Sequence, residues 1–315
     1  MTVSTDSRPA ATPVAAGPAG RPARRRGRAN WWPLLFVGPF FAGIAVFYLV
    51  PIVQTAYYSF TEWGAFGGVT WTGLDNWSRL LSDSQVPRAL LNTVVYIAVV
   101  LLGVPIAVWL ASLINRPGLK YATVYRTMFF LPYLAMPVAV ALVWRLIFNG
   151  DFGVLNTVLS KVGIDGPYWL ATPGLAIVAV SVVGLWMSIG FNIIILSAGL
   201  RAIPPDLYEA ASLDGASRSA QFRHITVPLL TPSIFFVVVI NVIAGFQLFD
   251  LLFAIIGRQN PVIDKTQSLV YLFYDTSFLD NDRGYGAVIA LVIFALVAAA
   301  TAVQFRLQRR WVTHA

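Results

Sequence analysis

The sequence predicts an all-α, polytopic membrane protein with six transmembrane helices and both termini on the cytoplasmic side. Three observations predict it. Of 315 residues, 57% are hydrophobic and 11% charged, whereas a water-soluble domain carries roughly a quarter charged residues. The charges bound long uncharged runs instead of being spread along the chain. The 22 basic residues also fall unevenly on the segments between those runs. A net charge of +8 would suit nucleic acid in a polar chain, but these cations are too few and scattered to track phosphates, so a lipid membrane is expected and nucleic acid is not. With no cysteine and two histidines, His224 and His314, disulfide scaffolds, thiol catalysis and multi-histidine zinc sites are excluded.

Residues 1–29 are rich in Ala, Pro, Gly and Arg and hold too little apolar surface to offset the entropy of ordering, so a disordered basic tail is expected. The next run, Trp31 to Thr61, is uncharged and has no small-residue cleavage site. It is too long for a secretory signal core and reads as a retained first span. Crossing about 30 Å of hydrocarbon takes roughly 18 to 20 helical residues, and the uncharged runs place spans at 33–54, 90–114, 127–145, 173–199, 229–250 and 285–306. Pro51, Pro105, Pro132 and Pro137 lie in or beside them, tolerable where neighbouring helices or water satisfy the freed carbonyls. Their concentration in the third span predicts a kinked helix lining a path. A domain of residues 30–310 with a short tail, 311–315, is expected.

Orientation is set by the basic residues near span ends. With the N-terminus inside, Arg8, five tail arginines (Arg21, Arg24, Arg25, Arg26, Arg28), Arg116, Lys120, Arg126, Arg201, Arg218, Arg223, Arg306, Arg309 and Arg310 are cytoplasmic, 15 of 22. The outer segments hold seven. They also carry the interfacial aromatics Trp63, Trp71, Trp77 and Trp169.

The loop after the fourth span has well-marked ends. Pro204 and Pro205 block a helix before it, Asp206 is an N-cap candidate with Glu209 three residues on, and Gly215 supplies a left-handed stop. A short helix is expected within about 206–215. Its alanines, Ala210, Ala211 and Ala216, give a thin profile that another protein can approach closely. The alternative is a helix resting on the membrane surface.

Glu209-Ala-Ala-Ser-Leu-Asp214-Gly215, with Phe222, Ile225, Pro228 and Pro232 after it, resembles the EAA loop of permease subunits from binding-protein-dependent ABC importers. Val227 departs from the leucine more usual there. Phe129-Phe-Leu-Pro-Tyr133 through Trp144, Gly153-Val-Leu-Asn156, Phe246-Gln247-Leu-Phe-Asp250 and Gly284-Tyr-Gly286 are similar to the maltose and glycerol-3-phosphate type. The resemblance covers about residues 31–310 and implies the ABC importer permease fold, a multi-pass location in the bacterial cytoplasmic membrane, and import of a sugar or sugar-like solute by alternating access. It implies as partners a second permease subunit, two ATP-binding cassette ATPase subunits and an extracytoplasmic solute-binding protein. Glu209, Ala210, Ala211, Asp214 and Gly215 would then couple the chain to an ATPase subunit, with Glu209 the charged contact. The family's usual Gly-Gly-Pro turn is replaced by Gly257-Arg-Gln-Asn-Pro261, on the side expected to face the binding protein.

A phosphate-binding loop requires Gly-Lys and then Ser or Thr, and the three lysines, Lys120, Lys161 and Lys265, come after Leu, Ser and Asp. No cofactor is therefore expected on this chain, and it is not an enzyme; ATP and Mg belong to the partner ATPase subunits.

A polar solute crossing hydrocarbon needs hydrogen-bonding side chains near mid-span. Tyr133, Trp186, Ser188, Asn192, Asn241 and Gln247 are the candidates. Ser188 and Asn192 share one side of a helix by their spacing. Asn241 either contacts solute or makes an interhelical hydrogen bond, and Trp186 either faces a sugar ring or packs. Asp250 is expected at the outer interface and His224 at the surface of the coupling segment. The rival readings are an ion-coupled secondary transporter, which requires buried ionisable groups, a channel or structural membrane protein, and an ABC permease for a non-sugar polar solute.

Overall fold

The computed structural model describes residues 32–63 and 68–311; the expected basic tail and the last residues of the C-terminal tail lie outside them. The described residues fall into two units, which divide between Pro51 and Ile52. In the first, α1 (Trp32–Ile44) runs into a π-helical turn, Ala45–Leu49. Pro51 lacks an N–H and its ring crowds the carbonyl one turn back, and the helix absorbs the mismatch as a bulge: the Val50 N–H reaches back five residues to the Ala45 carbonyl. With α2 (Val50–Tyr58) the apolar stretch is Leu35–Tyr58, 24 residues, four residues beyond the outer limit expected.

After Ile52 comes an element that the charge and hydropathy pattern did not predict, an antiparallel hairpin of β1 (Thr61–Trp63) and β2 (Val69–Trp71) in register Thr61↔Trp71, Glu62↔Thr70 and Trp63↔Val69. Its tryptophans pack on neighbouring rings, Trp63 on Tyr58 at 5.2 Å and Trp71 on Phe60 at 5.5 Å. After α3 (Asp75–Ser82), the second span Gln85–Ile114 consists of α4 (Gln85–Leu101) and α5 (Gly103–Ile114). The break falls at Leu102 because Pro105 cannot donate to the carbonyl four residues earlier and its ring crowds it.

The third span departs furthest from expectation. α6 (Ala122–Leu134) and α7 (Pro137–Ile147) meet at 93°, so the single kinked helix expected over 127–145 is a broken span. Ala135 and Met136 are extended, with ψ of 142° and 129°, since a proline drives the preceding residue out of helical geometry while itself suiting the first position of the next helix. Among the described residues five helices are long and apolar enough to cross a membrane, and six spans result when this bent pair counts as one.

α8 (Val154–Lys161) precedes α9 (Leu175–Arg201); α10 (Pro205–Leu213), α11 (Arg218–Gln221) and a π-helical turn lead to α12 (Val227–Phe246). The rest comprises α13 (Asp250–Ile255), α14 (Ile263–Thr266), α15 (Leu269–Tyr274), a further π-helical turn and α16 (Arg283–Trp311). α9 packs against α4, α5, α6 and α12. Gly190 permits the α6 contact, since a Cβ there would lie 2.0 Å from the Phe129 carbonyl oxygen, the close backbone approach that small residues allow in membrane bundles.

The two largest apolar clusters among the described residues lie along α9. One joins Val100, Val140, Val180, Val183 and Leu252, the other Ala107, Ile193, Leu196, Leu230 and Val237. α12 ends at Phe246, not at the expected 250; Phe249 leaves helical geometry at φ −139° and the chain re-enters as α13, packed beside α7. Polar groups of α4 hold the segment that joins α14 to α15. Asn92 donates to the Lys265 and Gln267 carbonyls at 3.0 and 2.9 Å, and the Leu269 N–H donates to Thr93 at 3.1 Å, pairing backbone that would be costly to leave bare in apolar surroundings.

Candidate functional site

Every residue of α10 is exposed or half-exposed, and Leu213 is 89% accessible. Its start differs from the one expected. Pro204 occupies the cap, Pro205 the first turn, and no side chain caps the helix; Asp206 therefore sits inside the first turn and the Asp206–Glu209 capping box does not form. The start stays sharp because Pro205, placed at the first helical position, has no N–H to leave unpaired. The end matches the expectation. Gly215 takes φ +78°, its N–H donates to the Ser212 carbonyl at 3.1 Å, and the Ala216 N–H donates to Ala211 at 2.9 Å, the paired bonds of a left-handed glycine stop.

Side chains fasten this helix to α11 and to the π-helical turn that precedes α12. The Tyr208 and Thr226 hydroxyls are 3.0 Å apart, and the Gln221 amide donates to the Ser212 hydroxyl at 3.0 Å and the Ala216 carbonyl at 3.3 Å. Glu209, Ala210, Asp214 and Gly215 are exposed and Ala211 partly so. The result is a rigid, narrow surface of acids and methyl groups. His224 is also exposed, with Nδ1 3.0 Å from the Ala220 carbonyl.

Inside the bundle a cavity of about 310 Å³ is lined by Tyr133, Ser188, Asn241 and Gln247 among others, at the small end of ligand-pocket sizes. The walls come from α4, α6, the start of α7, α9, α12, the turn after α12 and the start of α13. Asn241 does two things at once. It lines the cavity, while its amide nitrogen donates to the Asn192 side-chain oxygen at 2.9 Å and the Val237 carbonyl at 2.8 Å. Asn192 is fully buried, with its own amide nitrogen lacking a partner, and is not part of the lining. The Tyr133 ring is stacked on Phe130 and Phe191 at 5.6 and 5.0 Å.

Trp186 is not brought into the cavity lining. Two residues from Ser188, it points about 200° away around a helix of 3.6 residues per turn, and meets Trp144 edge-on at 5.6 Å. Asp250 gains a neighbour that the sequence did not indicate. It stays exposed, and because α12 stops early and α13 begins at Asp250, it also borders the cavity beside Gln247. Tyr96 joins the wall as well; within an uninterrupted apolar run nothing marked it.

A second recess, about 220 Å³, is lined by Arg145, Asn149, Asp151, Tyr168 and Asn260. Tyr168 donates to Asp151 at 2.8 Å, and that bond with the adjacent negative charge raises the phenol above its ordinary pKa. Asn260, in the atypical Gly257–Pro261 turn, donates to the Leu170 carbonyl at 2.8 Å. Among the described residues no group of three or more His, Asp or Glu side chains is placed to hold a metal ion.

A family model described as "Binding-protein-dependent transport system inner membrane component" matches residues 92–313. The sn-glycerol-3-phosphate transport system permease protein UgpA of Agrobacterium fabrum is 34% identical, over 87% of this chain and 93% of its own. The lactose transport system permease protein LacF of Rhizobium radiobacter is also 34% identical, over 88% of this chain and 93% of its own. A chain from the crystal structure of a bacterial alginate ABC transporter in complex with an alginate pentasaccharide-bound periplasmic protein has the same fold, with a TM-score of 0.77 at 22% identity over 89% of this chain and 94% of that one. The match takes in α10, the cavity and most of the bundle: the chain belongs to the binding-protein-dependent transport system inner membrane components, and is a multi-pass permease subunit and not an enzyme.

Proposed function

We propose that the chain is one permease subunit of an ATP-driven importer of sugars or sugar-like polyols in the bacterial cytoplasmic membrane. It works with a second permease, two ATPase subunits that carry ATP and Mg, and an extracytoplasmic binding protein. The names of relatives, lactose and arabinooligosaccharide permeases among them, support the sugar class; UgpA is named for a phosphorylated polyol. The observation that carries the reading is α10, a nine-residue helix with fixed ends and exposed Leu207 and Leu213. Burying one such leucine against a partner contributes roughly 1.5–3 kcal/mol, enough to hold a docking contact. In this reading Glu209, Ala210, Ala211, Asp214 and Gly215 face the cytoplasmic ATPase. The cavity between α6, α9 and α12 is this chain's half of the path, with Tyr133, Ser188, Asn241 and Gln247 offering hydrogen bonds. ATP-driven closure of the ATPase pair shifts the permease between outward and inward access by favouring one of the two states.

The test is Glu209→Lys in the reconstituted complex. Uptake is expected to fall to background, with weaker co-purification of the ATPase subunit and an unchanged bundle. Wild-type uptake with wild-type assembly would refute the coupling role.

A further inference from the structure

The cavity has one charged side chain among the described residues that line it, and it is a carboxylate. Its polar wall is otherwise neutral: Tyr96, Tyr133, Ser188, Asn241 and Gln247. No lysine, arginine or histidine lines it among those residues. Asp250 is exposed and takes part in neither of the two ion pairs found among the described residues, Arg79–Asp282 and Arg258–Asp275; no hydrogen bond from another described side chain reaches its carboxylate. Among the described residues, then, no side-chain cation is paired with its charge where it meets the cavity. Around it the wall is largely apolar, with Val100, Met187, Phe191 and Phe249, and low-dielectric walls focus the field of a fixed charge into the space they enclose.

We propose that Asp250 makes this cavity an anion barrier, so that the solute passing this chain is a neutral polyhydroxylated molecule and not a phosphorylated or carboxylated one. The inference rests on reading the cavity as the solute path, and it narrows the solute class within that reading. Neutral amides and hydroxyls satisfy sugar hydroxyls in either direction, as donors or acceptors. An anion entering beside Asp250 meets repulsion with no cation to offset it. Asp250 also opens α13, and an acid in a first helical turn has a purely structural use; the test must separate the two.

The chain has no cysteine, which allows a direct measurement. In the assembled transporter, with partner subunits rid of reactive thiols, Ser188→Cys is modified by a cationic trimethylammonium-ethyl thiosulfonate and by an anionic sulfonatoethyl thiosulfonate, each rate divided by its rate with a free thiol. The cationic reagent is expected to lead by about tenfold, a preference that falls to within twofold in Asp250→Asn and persists in Asp250→Glu. A structural role for Asp250 would leave the ratio near one in all backgrounds, and that result overturns the proposal. A ratio that survives Asp250→Asn overturns it too, as does failure of both Ser188→Cys and Gln247→Cys to react. Should Asp250→Asn fail to assemble, Asp250→Ser takes its place. The thiol ratio is independent of uptake, so loss of the coupling assignment through Glu209→Lys and loss of the anion barrier are read separately.

Discussion

The projecting helix and the cavity are built by opposite rules. α10 is set by its chain neighbours: Pro204 and Pro205 at one end, Gly215 at the other, and hydrogen bonds that reach no farther than Thr226. The cavity gathers residues from Tyr96 to Asp250, and each wall depends on how helices cross. Local geometry makes a stiff, exposed part, the one proposed to meet an ATPase subunit. Long-range packing makes a part whose shape changes when the helices move, which is what alternating access requires.

Substitutions that respect this difference should separate the two regions. The largest effect is expected from Gly190→Leu, where a side chain would run into the Phe129 carbonyl from its first carbon. Overpacking of this severity costs more than about 3 kcal/mol, so the folded complex should be lost in size-exclusion and thermal-unfolding assays; a wild-type melting curve would show that α6 and α9 do not pack so closely. Gly215→Val comes next. The left-handed backbone there strains a branched residue by about 1–3 kcal/mol, and the expected outcome is at least a tenfold loss of uptake with a bundle that still melts as wild type. Gly215→Asn should recover much of the uptake, because asparagine tolerates that conformation.

A smaller effect is expected inside the cavity. Asn241→Leu removes a bond to Asn192, about 0.6–2 kcal/mol in membrane bundles, and a hydrogen-bonding group from the wall. Uptake should fall while the complex assembles. The double variant with Asn192→Leu should regain stability without regaining uptake, and recovery of both would reduce Asn241 to helix glue. The smallest change is expected of Trp186→Phe, which keeps a ring against Trp144: transport within twofold of wild type. A severe transport defect there would return Trp186 to the solute path.

The spans were legible because a membrane demands long uncharged runs, and five of the six limits lie close to helices of the structure. Gly215 was legible because a left-handed stop needs glycine. The errors have physical reasons too. Asp206 satisfied every local criterion for a cap, but a proline beside it at Pro205 took the first helical position and shifted the cap to Pro204. Prolines in the third span announced a distortion without its size, since 93° depends on what α7 packs against. The hairpin at Thr61–Trp71 was hidden in a segment read only for its charges and tryptophans.

By itself the sequence determined that the chain crosses a membrane several times, where its basic residues lie, and that one exposed loop carries a small-faced helix with sharp ends. These properties depend on composition or on contacts a few residues apart, which the chain order already contains. Tertiary structure alone decided which polar residues meet. It turned Trp186 away, set Asn192 behind Asn241, and by ending α12 at Phe246 brought Asp250 to the cavity. Such choices come from helix rotation and crossing, where a shift of one residue turns a side chain by about 100°.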